Sequence, residues 1–193
     1  MFKSMMITVV VVLAFVGTTF AQTPSWSTNQ GGQLLVNFKL QPLDFGSGWN
    51  SLLKASVFSV PMKGFNQLFC YAGANKGILT LDGGIAMNWA GKDPFFVGFM
   101  TDVPFGRCIW STEVDNMFNT HSEQYFWSGV DINYTIHTDK GDKAFWFGPQ
   151  VEACRIGKTS AQFGARIGYD KFQLGWYLGD RGYDVRLNVN VNI

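Results

Sequence analysis

The sequence predicts an all-β fold, an antiparallel up-and-down β-barrel of about ten strands, with eight strands as the alternative. Apolar and polar residues alternate with a period of two along most of the chain. Turn-forming residues separate the alternating segments. No segment shows the roughly 3.6-residue period of a helix. Because closure removes unpaired strand edges, a barrel is the economical arrangement of so many strands.

The composition is poor in charge and rich in aromatic residues. The 193 residues suit a single domain, and only 15% of them are charged, whereas 16% are aromatic. An ordinary soluble domain has about 25% charged residues. The 15 Lys and Arg balance 14 Asp and Glu, which argues against a nucleic-acid partner and against an acidic disordered tail.

The first 21 residues predict a cleaved signal peptide. Lys3 is the only charge before an apolar run at residues 5–17, and Thr19 and Ala21 place small residues before a cut ahead of Gln22. No apolar run after Ala21 approaches the roughly 18 residues of a membrane-spanning helix, so such a helix is excluded from the mature part. Residues 22–193 are therefore predicted to form one exported domain.

The alternating segments follow one another at short intervals. The clearest is Tyr183–Ile193, in which every odd position is apolar and every even position is polar. The apolar parity flips across Asp170 and Lys171, as a two-residue hairpin requires when Tyr169 and Phe172 lie on one side. In chain order the predicted strands lie at about 34–40, 52–60, 64–72, 79–89, 95–103, 126–136, 145–152, 161–169, 172–178 and 183–193.

Two of these segments are weak, and one connection is long. If the segments near 52–60 and 64–72 are irregular, the strand count falls to eight. Residues 104–123 are interpreted as the one long irregular connection.

The composition of the polar face indicates which face lies inside the barrel. Eight of its positions are glycines, which suit a crowded interior: Gly84, Gly98, Gly129, Gly148, Gly164, Gly168, Gly175 and Gly179. Charges of both signs share that face and could form a buried paired network: Lys39, Lys54, Asp82, Asp102, Asp131, Glu152, Arg166, Asp170, Asp184 and Arg186.

Aromatic residues near the strand ends point the same way. Trp89, Phe95, Tyr169, Phe172 and Tyr183 lie where a membrane barrel places its interfacial aromatic girdles. Strands of this length also suit a tilted bilayer crossing, which needs roughly 9–11 residues. The pattern favours a transmembrane barrel with its apolar face toward lipid.

Over residues 33–193 this pattern resembles the small bacterial outer-membrane barrels of the OmpA-barrel and OmpX type. The resemblance implies outer-membrane lipid as the surroundings and insertion by the barrel-assembly machinery. Members usually end in Phe, whereas this chain ends in Ile193, which is apolar and has the same parity.

The resemblance also implies an orientation. Both termini would be periplasmic, and the strand count would be even. The connections at 41–51, 72–76, 104–123, 157–159 and 179–182 would then be extracellular, and those at 60–63, 90–94, 139–143 and 170–171 would be periplasmic turns.

The leading functional prediction is a non-enzymatic barrel with a largely filled interior. Its role would be structural, adhesive or that of a narrow solute path. Four apolar residues in the predicted loop at 104–123 form a candidate contact surface for an extracellular ligand or protein: Phe105, Trp110, Met117 and Phe118.

One alternative is a soluble lipocalin-like barrel that binds an apolar ligand. In it, four aromatic residues would line a calyx: Trp89, Phe95, Phe145 and Phe163.

A second alternative is a lipid-modifying or proteolytic enzyme with a site at the barrel rim. His121, oriented by Glu113 or Asp115, would serve it, and the only other histidine is His137. Neither histidine matches an outer-membrane deacylase or omptin pattern, so no catalytic residue is predicted.

The three cysteines allow one disulfide. A bridge between Cys70 and Cys108 at the barrel rim would leave Cys154 free. No CxxC pair or His/Cys cluster has metal-ligand spacing, so neither a metal nor a cofactor is predicted.

Overall fold

A computed structural model of the chain describes residues 31–60, 65–87, 95–118, 123–156, 158–180 and 182–193. The predicted signal peptide lies outside these residues. They form β1 (Gly31–Lys39), β2 (Asp44–Gly46), β3 (Trp49–Val60), β4 (Phe65–Lys76), β5 (Leu79–Met87), β6 (Phe95–Phe105), β7 (Cys108–Phe118), β8 (Gln124–Thr138), β9 (Gly141–Ile156), β10 (Lys158–Tyr169), β11 (Phe172–Gly179) and β12 (Gly182–Asn192). Nowhere in these ranges is there a helix long and apolar enough to span a bilayer.

The strands close into a barrel. From β3 to β12, neighbours in the chain pair antiparallel, and β1 pairs antiparallel with β3 and parallel with β12. The three-residue strand β2 pairs only with the start of β3. The predicted all-β barrel is therefore confirmed, with eleven strands in the ring formed by the described residues rather than ten or eight.

The odd strand count corrects the expected orientation of the termini. An even count would place both termini at one end, whereas β1 and β12 run in the same direction here. Gly31 therefore begins β1 at one end of the barrel, and Ile193 follows β12 at the other. We call the end that holds Ile193 and the turns at 77–78, 106–107, 139–140 and 170–171 the short-turn end.

The prediction of a long irregular connection at 104–123 is wrong over most of its length. β6 continues to Phe105, a tight turn follows at 106–107, and β7 runs from Cys108 to Phe118. The alternation in β7 is masked because Thr112 and Asn116 are polar on the same face as Trp110 and Val114.

Because β7 was missed, the sequence prediction assigned the connections that precede it to the wrong ends of the barrel. The prediction placed the connections near 60 and 90 at the same end as the turn at 170–171. With β7 present, β3 and β5 end at the opposite end of the barrel from that turn.

The apolar face of the barrel points outward, as the composition of the polar face predicts. Along β11, Phe172, Leu174, Trp176 and Leu178 are exposed, and the residues between them are mostly buried. The hairpin from β10 to β11 pairs Tyr169 with Phe172 across a two-residue turn, as predicted from the parity flip.

Glycines on the inner face allow close contact between strands. A Cβ atom at Gly84 would collide with the backbone carbonyl of Cys70, and one at Gly148 would collide with that of Val130. A side chain at either of these two positions would therefore push neighbouring strands apart, whereas one at Gly98, Gly168 or Gly175 would first meet an inward side chain.

An apolar cluster fills the interior toward the end opposite the short turns. Tyr71, Ala86, Phe96, Met117 and Cys154 pack together there. A second, smaller apolar cluster contains Phe58 and Val60. Polar and charged side chains that form the candidate site also lie in the interior.

Candidate functional site

The inner face of the barrel carries many buried polar side chains. Because successive side chains of a strand point to opposite faces, a strand with its apolar face outward turns its polar residues inward. Among the described residues the buried polar side chains are Gln33, Ser51, Ser56, Gln67, Asp82, Asp115, Glu123, Gln150, Glu152, Gln162, Arg166, Gln173, Asp184 and Arg186.

The most buried ion pair joins Arg186 of β12 to Glu152 of β9. The guanidinium Nη1 lies 2.8 Å from Oε2 of Glu152, and Nη2 lies 3.2 Å from Oε1. The side chains are 8% and 1% exposed. Nε of Arg186 also donates to Oε1 of Gln33 at 2.8 Å, so this arginine links β12, β9 and β1.

Neighbouring side chains donate further hydrogen bonds to Glu152. The hydroxyl of Tyr125 donates to Oε2 at 3.3 Å, and Nε2 of Gln162 donates to Oε1 at 3.2 Å. The Tyr177 ring lies 4.7 Å from the Arg186 guanidinium carbon, and its hydroxyl donates to Gln150. The ion pair and these hydrogen bonds replace the hydration that the Glu152 carboxylate loses on burial.

A second ion pair lies nearer the short-turn end. Nε and Nη2 of Arg166 donate to the two oxygens of Asp131 at 2.8 and 2.6 Å. The guanidinium also lies 4.3 Å above the ring of Trp127. This pair connects β10 to β8 across the intervening β9. We call the interior of β8 to β12, with its two arginine pairs, the paired wall.

The interior face of β5 to β7 carries two buried carboxylates that are not paired with any described arginine. Asp82 and Asp115 occupy the same row on either side of Gly98. They are 9% and 3% exposed, and the Oδ1 atom of each has no hydrogen-bond partner among the described residues. We call these two carboxylates and Gly98 the acid wall.

A cavity of about 100 Å³ separates the two walls. Its charged and polar lining includes Lys54, Glu113, Asp115, Tyr125, Glu152 and Arg186. The Lys54 ammonium lies 4.2 Å from the centre of the Tyr71 ring. A second cavity at Asn37, Lys54, Asn190 and Asn192 shares two lining residues with the first and lies toward the short-turn end.

The structure separates the predicted network residues into groups. The two ion pairs use Asp131, Glu152, Arg166 and Arg186. Asp184 is buried, with 3% of its surface exposed. Asp82 belongs to the acid wall, and Lys54 lines the cavity.

Three of the predicted network residues require a correction, because they lie at strand ends. Lys39 is exposed at the end of β1, where it lines the second cavity without joining an ion pair with a described residue. Asp102 is exposed and accepts a hydrogen bond from Ser111. Asp170 lies in a turn and pairs with Lys143 at 2.7 Å.

The predicted contact residues do not form one loop surface. Trp110 and Phe118 are exposed on the outer face of β7, and Phe105 is exposed at the end of β6. Met117 is 3% exposed and lies in the apolar cluster. Their role in binding a partner stays a prediction.

Sequence reasoning missed Asp115, Glu113, Tyr125 and Tyr177 as members of the site. The first two lay in the segment interpreted as a loop, where they were considered only as partners of His121. Parity could have found them, since Glu113, Asp115 and Met117 alternate with Val114 and Asn116.

The structure describes one of the two histidines and all three cysteines. Trp89 and His121 lie outside the described residues. His137 contacts Asp142 at 2.7 Å at the exposed short-turn end. None of Cys70, Cys108 and Cys154 forms a disulfide, so the bridge that the sequence allows between the first two is not present. Within the ranges that the structure covers, no group of three or more His, Cys, Asp or Glu is arranged to hold a metal ion.

Comparisons with protein-family models, with curated proteins and with solved structures find no match to this chain.

Proposed function

We propose that this chain is an integral β-barrel protein of a bacterial outer membrane, with a non-enzymatic role and a charge-paired, largely filled interior. The observation that carries the proposal is the outward direction of the apolar side chains. Phe163, Trp176 and Leu178 are 50% exposed or more, although they lie in the regular part of adjacent strands. Soluble monomers rarely expose contiguous apolar patches larger than a few hundred Å².

Aromatic residues near both barrel ends support the same proposal. Phe95, Phe118 and Tyr183 are exposed toward one end, and Tyr169 and Phe172 are exposed toward the short-turn end. Two such girdles flank the apolar band of an outer-membrane barrel, where amphipathic rings lie at the level of the lipid headgroups.

The interior favours a structural role over that of an open pore. The paired wall cross-links strands that are distant in the chain, and the apolar cluster around Phe96 and Met117 fills the end opposite the short turns. Outer-membrane lipid and the barrel-assembly machinery are the partners that this proposal requires.

The first experiment is a gel of the purified membrane fraction, boiled against unboiled in detergent. We expect the protein in the membrane fraction, with a mobility that changes on heating, because a closed barrel resists detergent until it unfolds. Recovery of folded protein from the soluble fraction without detergent would overturn the proposal. It would favour the soluble lipocalin-like barrel, although Phe95 and Phe163 of the predicted calyx are each 64% exposed on the outer face.

Arginine substitutions at two outward-facing positions test whether the outer surface of the barrel contacts lipid. Leu187 lies at the middle of β12, and Ile136 lies near the short-turn end of β8; both are exposed. In a bilayer, Leu187→Arg should reduce the free energy of unfolding by about 2–4 kcal/mol, and Ile136→Arg by about 1 kcal/mol or less. Equal and small effects at both positions, measured by urea unfolding from lipid vesicles, would contradict a membrane location.

A further inference from the structure

The acid wall leaves two buried carboxylate oxygens facing one point. A Cβ atom placed on Gly98 would meet Oδ1 of Asp82 and Oδ1 of Asp115 as its two nearest atoms. Neither oxygen has a hydrogen-bond partner in the part of the chain that the structure describes, and both residues are at least nine-tenths buried. The absence of a side chain at Gly98 therefore creates the gap that the two oxygens share.

Among the described residues, no cation forms an ion pair with either of these carboxylates. Arg186 is bonded to Glu152, and the Lys54 ammonium lies over the Tyr71 ring. The charged and titratable groups that act on the pair or line the same cavity are Lys54, Tyr71, Glu113, Tyr125, Glu152 and Arg186. Lys54 is the only cation in that set without a carboxylate partner, and Glu113 adds a further negative charge.

We propose that Asp82 and Asp115 bind one proton jointly above Gly98, so that the protonated carboxyl group of one donates a hydrogen bond to the carboxylate of the other. Two carboxylates in such proximity cannot both ionise without a large repulsion. A hydrogen bond from O–H to a carboxylate is among the strongest in proteins, and it gives each unpaired oxygen its partner.

The shared proton makes this wall responsive to pH. Asp115 lines the first cavity, which shares Lys54 and Asn37 with a second cavity toward the short-turn end. In the unfolded chain the same aspartates are ionised above about pH 4. The folded state therefore holds the extra proton, and its stability falls as the pH rises until the pair releases that proton.

The test measures two properties of the intact barrel from about pH 5 to about pH 9. The first is the infrared carbonyl stretch of a protonated carboxyl group. The second is the urea midpoint of unfolding. We expect the wild type to show the carboxyl band, and to lose the band and part of its stability as the pH rises.

Two variants and a control separate this proposal from a general effect of substitution. Asp115→Asn supplies an amide donor in place of the shared proton, so it should abolish the band and flatten the pH dependence of the midpoint. Asp82→Asn should do the same, and it keeps the test usable if the first variant does not fold. Asp102→Asn, an exposed position on β6, should leave both readouts unchanged.

Three results would overturn the proposal. The first is a wild-type spectrum without a carboxyl band throughout the pH range. The second is a band that survives both aspartate variants and disappears in Glu113→Gln. The third is a Ca²⁺-dependent rise of the midpoint that requires Asp82 and Asp115, which would identify a metal site. None of these depends on the membrane location, since a soluble barrel would contain the same pair.

Discussion

The paired wall and the acid wall bury the same kinds of charge but compensate for them differently. On the paired wall, Glu152 and Asp131 each receive a bidentate arginine. On the acid wall, Asp82 and Asp115 face each other without a cation between them. The comparison shows that burial alone does not define a carboxylate's role, because the partner determines whether the group is a structural link or a proton-binding site.

The largest effect is expected from removing the central cation. Arg186→Met leaves Glu152 buried without its charge partner and should lower the free energy of unfolding by about 3–5 kcal/mol. Urea unfolding in detergent measures the loss. The double variant that adds Glu152→Gln should recover most of it, because the remaining groups are then neutral. A double variant no more stable than Arg186→Met would contradict the assignment of the pair as the paired wall's main link.

The same change at the second pair should cost less. Arg166→Met leaves Asp131, whose side chain is 15% exposed rather than 1%, so water can reach the carboxylate. We expect a loss of about 3 kcal/mol or less, measured in the same way. A loss larger than that of Arg186→Met would show that exposure does not rank the two pairs.

A methyl group in the gap should distinguish the two walls. Gly98→Ala places a Cβ against two carboxylate oxygens, whereas Gly175→Ala on the paired wall meets mainly the end of the flexible Gln150 side chain. We expect a loss of about 2 kcal/mol for the first variant and a smaller one for the second. Equal losses would indicate that the methyl group acts through strand spacing and not through the acid pair.

The smallest effect is expected at a strand end. Asp102 is exposed and accepts a hydrogen bond from Ser111, so Asp102→Asn should change the free energy of unfolding by no more than about 0.5 kcal/mol. A loss comparable to that of Arg166→Met would contradict this expectation. It would indicate that Asp102 belongs to the interior network, as the sequence predicted.

The alternating pattern was enough to predict ten of the eleven ring strands that the described residues form, the two faces of each, and most of the inner charges. A period-two pattern places Arg166, Glu152 and Arg186 on one face and Phe163, Val151 and Val185 on the other, because side-chain direction in a strand depends only on parity. The glycines of the polar face likewise predicted a crowded interior, since an added Cβ would meet the neighbouring backbone at Gly84 and Gly148 and side chains at Gly98 and Gly168.

The side-chain partners and the parallel pairing of β1 with β12 could be read only from the tertiary structure. Arg186 meets Glu152 from a strand 34 residues away, and no local pattern encodes that distance. β7 was missed because its outer face mixes Thr112 and Asn116 with Trp110 and Val114, and a local pattern cannot show that neighbouring strands pair with both of its edges. With β7 in place the barrel has an odd number of strands, so β1 meets β12 in parallel, and Asp115 lies inside the barrel opposite Asp82.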